Sequence, residues 1–287
     1  MTGIATAGKY KSMKKKKMIR LGLTYIVLVV IAATMILPFF WMLSASLKLG
    51  KDVFAFPIEW FPKEPVWENY SKIWTKVPFL TFFKNTAKLT LIITTIQLFT
   101  SSFAAYAFAK MKFKGRDFLF LAYVATIAVP WQVYMIPQFI MMRQFRLTDS
   151  HLALICLQSF SAFGVFLMRQ FYLSIPNELG EAAKMDGLTH YGIYARIILP
   201  LSKPALATLT IFTFVNVWND FMGPLIYLDS ERNKTIQLGL RMFIQQYSAD
   251  YNLIMAASLV SLVPVMVLFL AFQRFFVEGV ASSGIKG

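Results

Sequence analysis

A chain of 287 residues that is 57% hydrophobic and only 15% charged carries more apolar surface than a soluble domain of this size buries, and the excess lies in long blocks. One cysteine, Cys156, excludes disulfides, and His151 and His190 stand too far apart in sequence for metal-ligand spacing, which leaves redox and metal chemistry without residues. The net charge of +15 does not read as a nucleic-acid module: its densest run, Lys14–Lys17, abuts the first apolar block, where it suits anionic membrane lipid and sets topology.

Met1–Arg20 is a lysine-rich tail, expected to be disordered and cytoplasmic. Leu21 to about Leu43 is the first span. The apolar stretch runs to Leu47, too long for a signal core and without a small-residue cleavage site, so it is expected to remain in the protein. Residues 44–88 form an amphiphilic connection with Pro57, Pro62 and Pro65 and with Trp60, Trp67 and Trp74 among charges, a composition suited to the headgroup region outside the cytoplasm. Leu89–Ala109 is the second span, with Ser101 and Ser102 small enough for close helix approach. After the basic turn Lys110–Asp117 comes the third span, Phe118 to about Met142, interrupted by Pro130 and Pro137. His151–Met168 is the fourth, Pro204 to about Leu228 the fifth and Asn252–Phe272 the sixth, with Pro264 inside it. A polar loop, Asp229–Tyr251, precedes the last span, and the tail Arg274–Gly287 follows it. The fold class is therefore all-α: a polytopic membrane protein whose domain, residues 21–287, has six transmembrane helices.

Six spans place both termini on one side. The eight-residue turn 110–117 holds four bases, whereas the first long connection spreads seven over about forty residues, and short loops dominate the positive-inside rule. N-terminus, C-terminus and the segment 177–200 are thus expected in the cytoplasm.

That segment is too polar for lipid. Asn177–Met185 reads as a short helix, with Glu178 and Glu181 at its positive end and Gly187 stopping it; Thr189–Ile198 reads as a second, ending at Leu199-Pro200. Helix, glycine and helix make either a knob that docks in a groove of a partner protein, with Ala182 and Ala183 small enough to enter, or an ordinary amphipathic loop on the membrane surface.

Within the spans the group to explain is Asp220, in the run NVWNDFMGPL. A carboxylate there faces protein or water. It falls about 24 Å along a helix from Pro204. Asn216, Trp218, Asn219 and Asp220 either line a passage for a polar solute, or Asp220 merely pairs with a neighbouring helix. Gln132 and Gln158 are secondary candidates for the path, or inter-helix glue. No GxxxxGK[ST] loop, no HExxH and no serine–histidine pair occurs, so no catalytic residue is assigned, and energy for uphill transport must come from another chain.

Glu181-Ala182-Ala183, Gly187 after three further residues, then Ile197, Leu199 and Pro200 resemble, position for position, the "EAA" loop of permease subunits of ATP-binding-cassette importers. Asp186, the stretch Trp60–Tyr70, the run Val217–Leu225 and the ending Gln273–Gly287 are similar to its carbohydrate (maltose/oligosaccharide) branch, in particular to the six-helix second permease. The resemblance covers nearly the whole chain. It implies the type I importer permease fold and an ATPase-coupling role for Glu181, Ala182, Ala183, Asp186, Gly187 and Pro200. It further implies a heterodimer with a second permease, separate ATPase subunits that use the ATP, an extracytoplasmic solute-binding protein, and no cofactor on this chain. The cargo implied is a carbohydrate, of the oligosaccharide kind, and substrate contacts in the maltose-like system come mainly from the other permease. The rivals are a stand-alone secondary transporter or channel for a polar solute, a membrane-embedded enzyme, and an importer of peptides or amino acids.

Overall fold

The computed structural model describes residues 3–244 and 250–283, and every element among them is helical or a connection between helices. Residues 284–287 of the expected C-terminal tail, and 245–249 of the expected polar loop, lie outside the described residues. The chain forms two compact units, Met1–Ile73 with Ser248–Leu259, and Trp74–Tyr247 with Val260–Gly287.

The first unit opens with α1, Gly3–Ser46, one helix of 44 residues. The expected disorder of the basic tail is thereby corrected from Gly3 onward. Residues 9–20 are rich in Lys, a good helix former, and an apolar helix already stands beyond them, so the tail propagates a helix without bearing the cost of nucleating one. The side chains of α1 that suit hydrocarbon, such as Leu23, Ile26 and Val29, lie open on its surface. After α1 the connection folds back. Asn69, at the start of α2 (Asn69–Lys76), is buried and donates to Ser46 O and Lys48 O, each at 2.8 Å, and Asn252 Nδ2 donates to its Oδ1 at 3.0 Å. Trp60 lies edge-on to Trp41, with ring centroids 5.6 Å apart, and Lys48 sits 4.6 Å above the Trp41 ring while its amine reaches Glu59 O.

The second unit is arranged on α3, Phe79–Lys110, about 48 Å long at 1.5 Å per residue. It begins ten residues before the expected span: Lys84, Asn85 and Lys88 look like connection in sequence but occupy the first turns of the helix. Ser101, Ser102, Ala105 and Ala109 are buried along it. They admit α7 (Ala162–Ser174) so closely that a Cβ on Gly164 would stand 2.4 Å from Ser101 Oγ.

The third span is not one straight helix. α4 (Arg116–Ala125), a 3-10 turn to Ala128 and α5 (Trp131–Gln144) meet at a bend of 99°. Pro130 forces extended backbone on Val129 (φ −84°, ψ 111°), which ends helix at that point. The fourth is interrupted too, into α6 (His151–Gln158) and α7, and runs on to Ser174, past the expected Met168. The fifth becomes α11 (Lys203–Trp218) and α12 (Met222–Tyr227). The expected polar loop contains α13 (Ile236–Met242), and α14 (Tyr251–Ser283) passes through Pro264 and takes in most of the expected tail. Among the described residues four helices are long and apolar enough to cross a membrane, and six result when each of two bent pairs counts as one crossing.

At the end of α3 near Asn85 the loops are pinned by backbone-directed bonds. Asn85 Nδ2 donates to Arg232 O (2.8 Å) and Lys234 O (2.9 Å). Asp149 takes the amides of Asp229 and Ser230 on Oδ1, and Asn233 Nδ2 donates to its carbonyl. Its backbone is left-handed, φ 54°, a conformation a non-glycine residue keeps only when its surroundings fix it.

Candidate functional site

The opposite end of α3 carries the segment 177–200. Its first helix, α8, is Glu178–Met185 and closes as a Schellman turn: Gly187 N donates to Lys184 O at 3.0 Å and Leu188 N to Ala183 O at 2.9 Å, with Gly187 at φ +82°. The expected glycine stop is therefore where the sequence puts it. α9 (His190–Ile193) starts behind Thr189, whose hydroxyl accepts from Gly192 N, and continues without a break through a π-helical turn, Tyr194–Ile198, into α10 (Leu199–Leu201). The second helix thus runs past Pro200 instead of ending there. A π turn widens the backbone spacing, and the proline ring then avoids the carbonyl of the preceding turn.

The two alanines separate. Ala183 is buried in a cluster with Ile193, Tyr194 and Ile198 and with Ala105, Met168 and Leu209 of the long helices. The reading of Ala183 as a docking surface is corrected by this: its small size serves packing inside the chain. Ala182, Glu181 and Asp186 are exposed, with Met185 (89% exposed) and Tyr191 projecting beside them. Asp186 caps the negative end of α8, where a carboxylate gains nothing from the helix, so helix stability does not explain it.

The segment is also fastened to α3. Ser102 Oγ and Tyr194 OH share a hydrogen bond of 2.8 Å, and Lys110 Nζ donates to Ile175 O (2.6 Å) and Asn177 Oδ1 (2.8 Å). Through Ala183, α8 is packed in one cluster with side chains of α3, α7 and α11.

Near the middle of the unit, α3, α5, α6, α11 and α12 enclose a cavity of about 460 Å³. Gln97, about 27 Å along α3, donates from Nε2 to Gln158 O at 2.9 Å and accepts from the Thr213 hydroxyl. Gln158 Nε2 donates to Asp220 Oδ2 at 2.7 Å, and Asp220 Oδ1 takes the amide of Gly223 at 3.1 Å. Asp220 lies in the break between α11 and α12, not within a helix, and a Cβ on Gly223 would fall 2.4 Å from its Oδ2. Aromatic faces, among them Trp131, Phe160 and Phe212, complete the wall. Acceptors and amide donors set among flat apolar rings match the mixed surface of a polyhydroxylated solute.

Of the residues expected on the path, Asn216, Gln158 and Asp220 line this cavity. Trp218 does not. It is buried, donates to Ser261 O at 2.9 Å and stacks on Phe214, so it belongs to the core. Asn219 turns outward to Val215 O and Gln237, and Gln132 is exposed away from the lining. The sequence reading missed Gln97 and Gln138, the latter accepting from Trp131 Nε1 at 3.0 Å and Tyr227 OH at 3.3 Å. Each is an amide within an apolar run, the same signal that singled out Gln132 and Gln158.

Residues 97–281, which hold both the cavity and the 177–200 segment, match the family model described as binding-protein-dependent transport system inner membrane component. The chain belongs to that family. It is a membrane transport permease, and among its relatives is the arabinooligosaccharides transport system permease protein AraQ of Halalkalibacterium halodurans, 36% identical over 77% of this chain and 79% of that protein. The lactose transport system permease protein LacG of Rhizobium radiobacter is 31% identical over 90% of this permease and 94% of its own length. A solved chain from a bacterial ABC transporter that imports the acidic polysaccharide alginate superposes with a TM-score of 0.81 over 91% of this chain and 98% of that one, at 24% identity, which establishes the type I importer permease fold.

Proposed function

We propose that this permease is one of two membrane subunits of an ATP-driven, binding-protein-dependent importer that carries a carbohydrate, of the oligosaccharide kind, across the cytoplasmic membrane. The observation that carries the reading is the 177–200 segment: a two-helix unit with an exposed Glu181–Ala182–Met185 surface, built into the same core as the long helices. Glu181, Ala182 and Asp186 meet the ATPase, while Ala183, Gly187 and Pro200 shape the unit that presents them. ATP is bound and hydrolysed by the partner ATPase, and this chain contributes no catalysis and no cofactor. Asn216, Gln158 and Asp220, with Gln97 and Gln138, form its part of the translocation path. Relatives named for arabinooligosaccharide and lactose transport, together with a cavity of amides and rings, support a carbohydrate cargo. The dense positive charge of residues 110–117, beside the coupling segment, supports cytoplasmic termini and an extracytoplasmic docking face for the binding protein at the Asn85–Asp149 end.

Mild-detergent purification of the tagged chain from its host, read by mass spectrometry, tests this. A second permease and a Walker-motif ATPase in near-equal amounts are expected, with ATP hydrolysis stimulated by a sugar-loaded binding protein. Recovery of this chain alone after gentle cross-linking overturns it and leaves the stand-alone carrier.

A further inference from the structure

Two adjoining cavities at the base of α3 share Lys112 and Arg116 in their walls. The first, about 380 Å³, is bounded by Lys110, Lys112 and Arg116 on one side and by Asn177, Lys184 and His190 of the coupling segment on the other, with Glu181 the sole carboxylate of its wall. Lys112 and Lys184, with Lys110 already donating to Ile175 O and Asn177 Oδ1 and Arg116 already paired with Asp117 at 3.1 Å, thus face Glu181 across a space roomy enough for a phosphate group. The second, about 500 Å³ and more open, is lined by Phe113 and Phe118 beside the same two cations and Asp117, whose carboxylate is held by Arg116 and Arg169. From there the surface of α4 continues with Phe118, Leu119 and Leu121, all more than half exposed. A cationic pocket that passes directly into an open apolar wall has the chemistry of a headgroup site with an acyl track beside it. A soluble phosphate would use the first cavity and gain nothing from the second.

We propose that the phosphate of an anionic phospholipid of the cytoplasmic leaflet binds between the 110–116 turn and Lys184, with its chains along Phe113, Phe118 and Leu119. The proposal rests on the cytoplasmic placement of this end. It gives the coupling segment a lipid contact at its root: Lys184, on α8, and Lys112, beyond the end of α3, are drawn to the same headgroup. Phosphatidylglycerol meets this chemistry and phosphatidylcholine, with its compensating ammonium, does not.

The full chain, purified and stripped of lipid in detergent, is titrated with phosphatidylglycerol or phosphatidylcholine and read by native mass spectrometry. A clear preference for one phosphatidylglycerol is expected. Lys112→Gln with Lys184→Gln, both exposed side chains, should weaken it roughly thirtyfold, the effect of removing two interfacial cations. Lys112→Arg with Lys184→Arg should keep it, and inorganic phosphate at equal concentration should not displace the lipid. Equal retention of the two lipids, an unchanged preference in the glutamine pair, or displacement by inorganic phosphate overturns the proposal. Should the glutamine pair not fold, the wild-type chain still decides, since the preference must fall as salt is raised. The readout needs neither ATPase nor sugar, so failure of the importer assignment would show separately as absent partner subunits.

Discussion

A change of one alanine separates docking from folding in the coupling segment. Ala182 is exposed and Ala183 is packed among Ile193, Tyr194 and Ile198. Ala182→Trp should leave the thermal midpoint of the detergent-solubilised chain unaltered and abolish ATP-driven uptake, because the ring occupies the surface we propose for the ATPase contact. Ala183→Trp should instead lower that midpoint, by the equivalent of about 1–3 kcal/mol of overpacking, and lose uptake only as a consequence. Loss of uptake with full stability in the Ala183 variant would sink this distinction. At the cavity, Gly223→Ala drives a methyl against the Asp220 carboxylate. It should reduce uptake about as far as Asp220→Ala does, and the double variant should be no worse than either, since both remove one arrangement. Additive losses in reconstituted vesicles would show that the two act apart. The sequence made Asp220 legible because an acid in an apolar run has to be explained. It could not tell Trp218 from Asn216, two residues away on the same helix, because which face of α11 meets the cavity depends on how α11 packs on α3.

Elements were legible as apolar blocks and not as helices. Composition marks where hydrocarbon is tolerated, so the blocks were found, but breaks inside them at Pro130, Ser159–Ser161 and Asn219–Phe221 require knowing where freed backbone groups find partners. At the α6–α7 break Thr100 Oγ1 donates to Ser159 O at 2.8 Å and the Ser161 hydroxyl caps α7 at Gly164 N, contacts no spacing reveals. The loop that joins α5 to α6 gives a pH prediction at this scale. The Ser230 hydroxyl, its amide, and then the Asn233 side chain and Asp229 amide hold the Asp149 carboxyl far below the usual carboxylate range. A depressed folded value means that the tether contributes fully above the unfolded value, about 4, and weakens only as pH falls through the folded one. Protection of the Asp229 and Ser230 amides against exchange should therefore hold unchanged from pH 8 down to about 5 and be lost only in stronger acid. Asp149→Asn, which keeps an acceptor without the charge, should speed exchange there at neutral pH. Protection that is lost between pH 7 and 6 would contradict the assignment.

For the whole molecule, the family was readable because the EAA pattern, the VWNDF run and the ending agree with one another over most of the chain. Orientation rested on loop charge alone. In a chain carrying Cys156→Ser, a membrane-impermeant maleimide should label Arg232→Cys in intact cells and label Lys114→Cys only after permeabilisation. The reverse pattern would invert the topology and move the lipid site to the other leaflet. What sequence could not supply was the joining of distant segments by single polar side chains, since such bonds have no period and no local signature.

One such side chain has a bearing on biosynthesis. Asn69 holds the carbonyls of Ser46 and Lys48 and receives the amide of Asn252, which is made 183 residues later. A nascent chain leaves the ribosome in order, so this asparagine must wait, its carboxamide oxygen without that partner, until nearly the last helix is inserted. The earliest part of the protein is consequently among the last to be completed.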